Sequence, residues 1–310
     1  MERVTLSFLA LLLCVPVLAD ETHARPRILG VASVQFYSTD VEAARSFYSK
    51  ILGDQGTPSD ACLWCERNPF GPGSERPLIS RPLAMGLNSG QYVALSKSPQ
   101  IPSSNLLHEI VFGTDNVRAL KKYLLSREVS VEKNSSDTYF ALIDPEGHRI
   151  GFTQAPQFAT PAASVKMQII HAGFVVKDRA AEDRFYKDIL GFHVYWHGGM
   201  KEGEDNWVDM QVPDGTDWLE YMLGVSPNAS HKTLGVMNHI ALGVPDIHAA
   251  EQQLIKNGWK PTEEPKIGRD GKWQLNLYDP DETRVEMMEF KPTKEPCCSA
   301  YTGPHPGPKQ

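Results

Sequence analysis

Basic charge is in deficit, and cysteine is scarce. The chain of 310 residues carries 31 Lys and Arg against 38 Asp and Glu, a formal net charge of −7, with a pI near 5.8. That balance gives no general affinity for nucleic acid phosphates, so nucleic acid is not an expected partner. The apolar stretch from Val4 to Leu18 is too short for a comfortable transmembrane helix, which needs about 20 residues. It ends in Val17-Leu18-Ala19 before Asp20-Glu21, the pattern of a signal peptide over residues 1–19. The expectation is a secreted or periplasmic protein with no membrane association after cleavage. Cys14 invites a lipoprotein reading, but the small residues usual before a lipidated cysteine are missing.

Of five cysteines, Cys62, Cys65, Cys297 and Cys298 would remain after cleavage, an even number that permits two disulfides in an oxidising compartment. No second Cys-x-x-Cys exists to build a zinc ribbon with Cys62-Leu63-Trp64-Cys65. Its Pro-, Gly- and Ser-rich surroundings favour a structural role over redox chemistry. Cys297 and Cys298 lie in a tail, residues 291–310, so rich in Pro and Gly that a loosely ordered segment is expected; a vicinal disulfide or a metal contact are the alternatives. Asn134 and Asn228 begin glycosylation sequons.

What the chain does have is repetition. Met167 to Gly191 reads as an alternating strand, then an N-cap at Asp178, then a helix with Ala180, Ala181, Phe185, Ile189 and Leu190 on one face, closed by Gly191. The pattern recurs with Asp40, Phe47-Tyr48 and Ile51-Leu52-Gly53, and more weakly around Asp115 and Asp246. The residue seven before each Asp is Ser33, His108, His171 or His239. A fixed internal period means one supersecondary unit reused, here four times. Four modules in 310 residues pair into two domains. Residues 28–154 form the first, 155–165 a linker, and 166–290 the second. Within the first, helices are expected over 40–52 and from Asn116 to Ser126, after a long loop-like segment over 57–82. Asp144-Pro145-Glu146-Gly147 and Asp279-Pro280-Asp281-Glu282 turn the closing hairpin of each pair.

A strand and helix followed by three strands, repeated in pairs, with a His in the first strand and a last strand after an Asp-Pro-acidic turn, resembles the vicinal oxygen chelate superfamily. Its members include glyoxalase I, methylmalonyl-CoA epimerase, extradiol dioxygenases and fosfomycin-resistance proteins. The resemblance covers residues 28–290. It implies an α+β fold of four βαβββ modules paired into two open barrels, in tandem. It also implies a divalent metal held by the first and last strands of each module. In the second half those positions are His171, Glu220, His239 and Glu286. In the first half, Ser33 replaces the first His, Gly151 replaces the terminal Glu, the strand Gln91–Leu95 has no carboxylate, and only His108 remains. The first domain is therefore expected to be degenerate and metal-free.

Two imidazoles and two carboxylates make a neutral set around one divalent ion, a chemistry open to nickel, cobalt, iron, manganese or zinc. His171 precedes Glu220 by 49 residues and His239 precedes Glu286 by 47, so each module offers one pair at nearly the same separation. A lone strand His is more often core than ligand, and a Glu there can simply pair with an Arg such as Arg284. Four such coincidences at repeat-equivalent positions are far less frequent. Glu289 should face away from Glu286. His193, His197, Tyr195 and Trp196 line either a pocket mouth or an exposed strand. Trp207, Trp218 and Trp273 could wall an apolar site but are expected in the core, and Lys201, Arg269 and Lys272 could bind an anionic substrate but are expected as solvated charge in loops.

The four-ligand set is similar to that of glyoxalase I. The resemblance implies a metal-dependent lyase or isomerase that moves a proton next to a carbonyl on a small substrate with vicinal oxygens. Glu286, or else Glu220, would be the base, since a metal-bound Glu can leave the metal in such enzymes. Lactoylglutathione itself is a doubtful substrate, because no glutathione site is evident. The alternatives are an Fe(II) extradiol-type dioxygenase, with Glu220 a pocket residue, and a non-catalytic small-molecule binding protein. Four modules in one chain allow a complete monomer, with a homodimer left open.

Overall fold

The computed structural model describes residues 24–52, 83–87, 90–97, 105–155 and 167–308. The expected signal peptide, Cys14, Cys62, Cys65, the loop at 57–82 and nearly all of the linker lie outside these residues. No helix among the described residues is long and apolar enough to cross a membrane.

Strands and helices alternate as the repeat requires. The first half comprises β1 (Ile28–Ser38), α1 (Val41–Leu52), β2 (Leu83–Gly86), β3 (Tyr92–Lys97), β4 (Leu107–Thr114), α2 (Val117–Ser126), β5 (Tyr139–Ile143) and β6 (Arg149–Gln154). The second comprises β7 (Gln168–Val175), α3 (Arg179–Ile189), β8 (His193–Gly198), β9 (Trp207–Gln211), β10 (Trp218–Met222), α4 (His231–Met237), β11 (His239–Val244), α5 (Ile247–Lys256), β12 (Lys266–Ile267), β13 (Trp273–Tyr278) and β14 (Arg284–Glu289). The second half has the full βαβββ order twice. Among the described residues, each helix of the first half is followed by two strands rather than three.

Each half curls one sheet. The first runs β2-β3-β1-β4-β6-β5 and the second β12-β13-β14-β11-β7-β10-β9-β8. The repeat is thus one open half-barrel per half. β7 and β11 lie antiparallel at the middle of the second sheet, each with a parallel partner outside it, β10 and β14. Ile169, Ala172, Phe174, Leu219, Ile240, Leu242, Val285 and Met287 belong to the main hydrophobic core. Helix N-termini are closed by Asx side chains: Asn116, Asp178 and Asp246 accept from the N–H three residues on. Helix α3 widens to π geometry over Arg184–Ile189, which lets the adjacent Phe185 and Tyr186 both bury. Gly191, at φ +80°, ends it.

The halves clasp each other through reciprocal contacts. Gln91 Oε1 accepts from Ile169 N–H at 3.0 Å, and Asp217 Oδ2 from Val31 N–H at 2.9 Å. Glu146 accepts from the N–H groups of Lys177 and Asp178 before α3, while Asp281 accepts from Thr39 N–H and the Ser38 hydroxyl before α1. Each acidic turn therefore anchors the helix of the opposite half.

The tail corrects the expectation of loose order. Thr302 N–H donates to the Tyr195 carbonyl at 3.0 Å, Trp196 Nε1 to the Cys297 carbonyl at 3.1 Å, and Gln211 Nε2 to the Pro304 carbonyl at 2.9 Å. Cys297 and Cys298 form a vicinal disulfide. The segment has no strand partner but satisfies its backbone against β8, β9 and the loop before β13.

Asp281→Ala would leave the Thr39 N–H and the Ser38 hydroxyl without their buried acceptor. The expected cost is about 1–3 kcal/mol in urea unfolding, and a loss below about 0.5 kcal/mol would show that water substitutes for it.

Candidate metal centre

Because β7 and β11 are antiparallel neighbours, His171 lies opposite Ala241, and His239 opposite Gly173. The outer partners bring the carboxylates into the same two rows: Glu286 beside Ala241, and Glu220 beside Gly173. Cross-strand partners share a face, so all four side chains meet on the concave side. His171 Nε2 and His239 Nε2 are 3.1 Å apart. Glu220 Oε2 lies 3.1 Å from His239 Nε2 and 3.6 Å from His171 Nε2. Glu286 Oε2 lies 3.7 and 3.8 Å from the same two nitrogens.

Small residues make the meeting possible. A Cβ on Gly173 would fall 2.0 Å from His239 Cε1, so the imidazole lies across this glycine. His239 Nδ1 is 3.1 Å from the Met237 carbonyl. A proton assigned to Nδ1 by that contact leaves Nε2 as a free lone pair. Burial lowers both imidazoles below their ordinary range, with the Arg284 charge adding to the effect on each. Neutral imidazoles are what a cation requires. Burial would raise Glu220, but its close contact with His239 and the charge of Arg284 outweigh that and lower it. Glu286 is raised to about 7 by burial, opposed by Arg284 and reinforced by Glu220.

Donors around a single ion at about 2.0–2.2 Å lie about 3–3.5 Å apart. The imidazole pair and the His239–Glu220 pair have that spacing, and the donors of His171, Glu220 and His239 all lie within 4.8 Å of one another. His171 Nδ1 and Glu220 Oε2 are buried without a hydrogen-bond partner. The residues fit a divalent ion. One feature opposes it: Arg284 Nη2 donates to His239 Nε2 at 2.6 Å and lies 3.8 Å from Glu220 Oε2. Loading requires this guanidinium to withdraw.

Around the donors the concave face is polar at its centre and aromatic at one end. Asp209 pairs with Glu220 across β9 and β10, and Asn276 with Glu286 across β13 and β14. Burial, with Glu220 next in effect, pushes Asp209 well above the usual carboxylate range. Lys272, expected in solvent, is 0% exposed. Its Nζ sits 4.3 Å from the Trp218 ring centre and 5.2 Å from those of Tyr195 and Tyr301, with no hydrogen-bond partner. The Trp218 ring lies tilted beside His171, with ring centres 4.9 Å apart. Tyr195 and Trp196 are buried, not exposed. His193 bonds Gln211, and His197 pairs with Asp205. Trp207 and Trp273 are half-buried against the cores. Glu289 faces the other way and accepts from Ile247 N–H at the start of α5. Sequence alone does not point to Gly173, Asp209 or Tyr301 as site residues, and it offers Lys272 only as a possible contact for an anionic substrate. A lone Asp in the alternating Trp207–Gln211 was the one available signal.

The first half corrects one assignment. Gln35 faces Glu109 as Gly173 faces His239, and Ser33 faces Val111 as His171 faces Ala241. Glu109, not His108, holds the position of His239. The cap of α2 is Asn116 rather than Asp115, which moves the count by one residue. Ala94 stands for Glu220 and Gly151 for Glu286. Arg149, equivalent to Arg284, pairs with Glu109 and makes a bidentate contact to Glu132 at 2.9 Å, while the Tyr139 hydroxyl donates to Glu109.

Residues 168–287 match the family described as the Glyoxalase/Bleomycin resistance protein/Dioxygenase superfamily. A lactoylglutathione lyase of Haemophilus influenzae is 29% identical over 133 residues, which is 41% of this chain and 96% of that one. In fold, a homoprotocatechuate 2,3-dioxygenase variant from B. fuscum aligns with TM-score 0.59 at 17% identity, covering 86% of this chain and 72% of that one. The 2,3-dioxygenase LapB from Pseudomonas sp. KL28 aligns with TM-score 0.59 at 13% identity, covering 92% and 96%.

Gly173→Ala should displace the His239 ring and lower zinc or cobalt uptake by roughly tenfold or more, with far-UV circular dichroism unchanged. Undiminished uptake would remove His239 from the set.

Proposed function

For a chain whose residues 168–287 match the Glyoxalase/Bleomycin resistance protein/Dioxygenase superfamily, we propose a metal-dependent lyase or isomerase of glyoxalase type. It moves a proton next to a carbonyl on a small substrate with vicinal oxygens. The observation that carries this is the convergence of two carboxylates, not one, on the imidazole pair. A divalent ion held by His171, Glu220, His239 and Glu286 would supply electrophilic stabilisation of charge on the substrate oxygens. Nickel, cobalt, iron, manganese and zinc all suit this donor set.

The chain's own groups then divide the work. Glu220 lies closer to the imidazoles than Glu286 and is held there by charge. Glu286, set farther back, is the carboxylate free to take the proton from carbon and return it to the neighbouring carbon. Lys272 Nζ, lacking a hydrogen-bond acceptor, is placed to meet an anionic oxygen of the substrate. Trp218, Tyr195 and Tyr301 keep water from that end. All four donors come from one sheet of one chain, so the reading needs no second copy. Export from the cytosol is part of the proposal; the Cys297–Cys298 disulfide supports an oxidising compartment.

An Fe(II) extradiol-type dioxygenase is the second reading. It needs two imidazoles and one carboxylate with open positions, and the fold likeness to such enzymes spans both halves.

Elemental analysis of the purified chain decides between them, together with isomerase assays on 2-oxoaldehyde adducts and oxygen-uptake assays on catechols. The proposal expects about one divalent ion at this group, so that metal content falls by about one equivalent in His171→Ala and in Glu220→Ala, with Glu286→Gln lowering isomerase turnover by about 10²-fold or more. Iron retained in Glu220→Ala, with catechol-dependent oxygen uptake, would establish the dioxygenase. A chain that takes up no metal, and whose ligand binding tolerates His171→Ala, would be a binding protein.

A further inference from the structure

The turn after β5 meets α3, and the turn after β13 meets α1; the internal repeat relates these two junctions. They share a frame. Asp144 Oδ1 accepts from the N–H groups of Glu146 and His148 at 3.0 and 2.8 Å, and Asp279 Oδ1 from those of Asp281 and Thr283 at 2.9 Å each. Tyr186 and Tyr48 are fully buried at the same helical position. Two of the differences between the junctions are toward ligand chemistry. Glu182 stands where the sister helix has Ala44, and His148 where the sister turn has Thr283.

Glu182 is 0% exposed, and Asp144 is buried beside it. Donor atoms of Asp144, His148 and Glu182 all lie within 4.8 Å of one another. His148 Nδ1 is 2.8 Å from Asp144 Oδ2, which also accepts from the Tyr186 hydroxyl at 3.1 Å. Glu182 Oε1 accepts from Glu146 N–H at 3.1 Å, while Oε2 is buried with no hydrogen-bond partner. Asp144, Glu146 and Asp178 act on Glu182 with the same sign, adding to burial, and together raise it to about 8. A buried carboxyl oxygen left without a partner is costly in such a place. The shared frame does not require it, because the sister junction closes around Ala44.

We propose that Asp144, His148 and Glu182 form a second cation site, holding a divalent transition-metal ion of the zinc or manganese class that pins the first half of the chain to the second. One imidazole and two carboxylates are oxygen- and nitrogen-rich donors of the kind these ions take. The ion would supply the partner that Glu182 Oε2 lacks and neutralise the like charges. The His148 side chain, 15% exposed, opens the cluster to solvent. The site shares no residue with the His171 group, and its role is to join α3 to the β5–β6 turn.

The test uses the full chain carrying His171→Ala and Glu220→Ala, which silences the first group. Zinc and manganese are titrated by calorimetry and scored by metal analysis and thermal unfolding. About one equivalent should still bind in this background and raise the melting temperature. Adding Glu182→Ala, the sister residue, should abolish uptake and the metal-dependent rise. It should also leave the chelator-treated protein at least as stable as its parent, which separates loss of a ligand from loss of fold. His148→Thr should lower uptake by roughly tenfold or more. No uptake in the background, or uptake unaffected by both Glu182→Ala and His148→Thr, overturns the proposal; neither result bears on the first group.

Discussion

The antiparallel contact between β7 and β11 fixes the site. Two strands that begin separate modules are brought side by side, and each carries one His facing one small residue of the other. That pairing sets the 3.1 Å separation of the imidazole nitrogens. The parallel outer strands β10 and β14 then have no freedom about where their glutamates fall, because parallel register with β7 and β11 puts Glu220 beside Gly173 and Glu286 beside Ala241. Packing of the opposite face, Ile169, Ala172, Leu242 and Met287 among others, holds the strands to this register. A slip of one residue would send every donor into that core.

Concentrating ionisable groups on a concave face has an electrostatic cost, which the arrangement distributes. Burial drives the imidazoles neutral and drives Asp209 and Glu286 toward their protonated forms. Arg284 and Lys272 offset what charge remains on Glu220 and its neighbours. Lys272 makes no hydrogen bond and lies against three rings, so its stabilisation comes from aromatic faces and the field of nearby carboxylates. The ordered tail supplies one of those rings, Tyr301, whose hydroxyl donates to the Asp270 carbonyl at 2.7 Å. A Pro- and Gly-rich end thus becomes a wall of the face that the sheet alone leaves open.

Much of this was legible in the chain, for identifiable reasons. The internal repeat singled out His171 and His239, and the resemblance to the vicinal oxygen chelate superfamily implied Glu220 and Glu286 beside them. Spacing from Asp115 places the first half one residue out of register, since Asn116 makes the capping bond and adjacent Asp and Asn are equivalent caps in sequence. Lys272 follows Arg269-Asp270-Gly271, a turn that reads as solvated charge, and only the tail folding over it buries it. Composition correctly ruled out regular structure for the tail but could not show hydrogen bonds to a strand about 100 residues away in sequence. The π turns of α3 have no local signature apart from two adjacent aromatic residues.

The divergence of the halves follows from the same register. In the first half Ser33, Ala94 and Gly151 remove three donors, and Glu109 replaces an imidazole with a carboxylate. A lone carboxylate at that point needs a cation, and Arg149, two residues before Gly151, provides one together with the Tyr139 hydroxyl. In the second half, Arg284 at the equivalent position reaches toward two glutamates and an imidazole without saturating them. The first half closes its centre with its own side chains; the second leaves convergent lone pairs. What both halves retain is the clasp, in which Glu146 anchors the start of α3 and Asp281 the start of α1. Change at the first centre is therefore uncoupled from the support that this half gives to the strands and helix bearing His171.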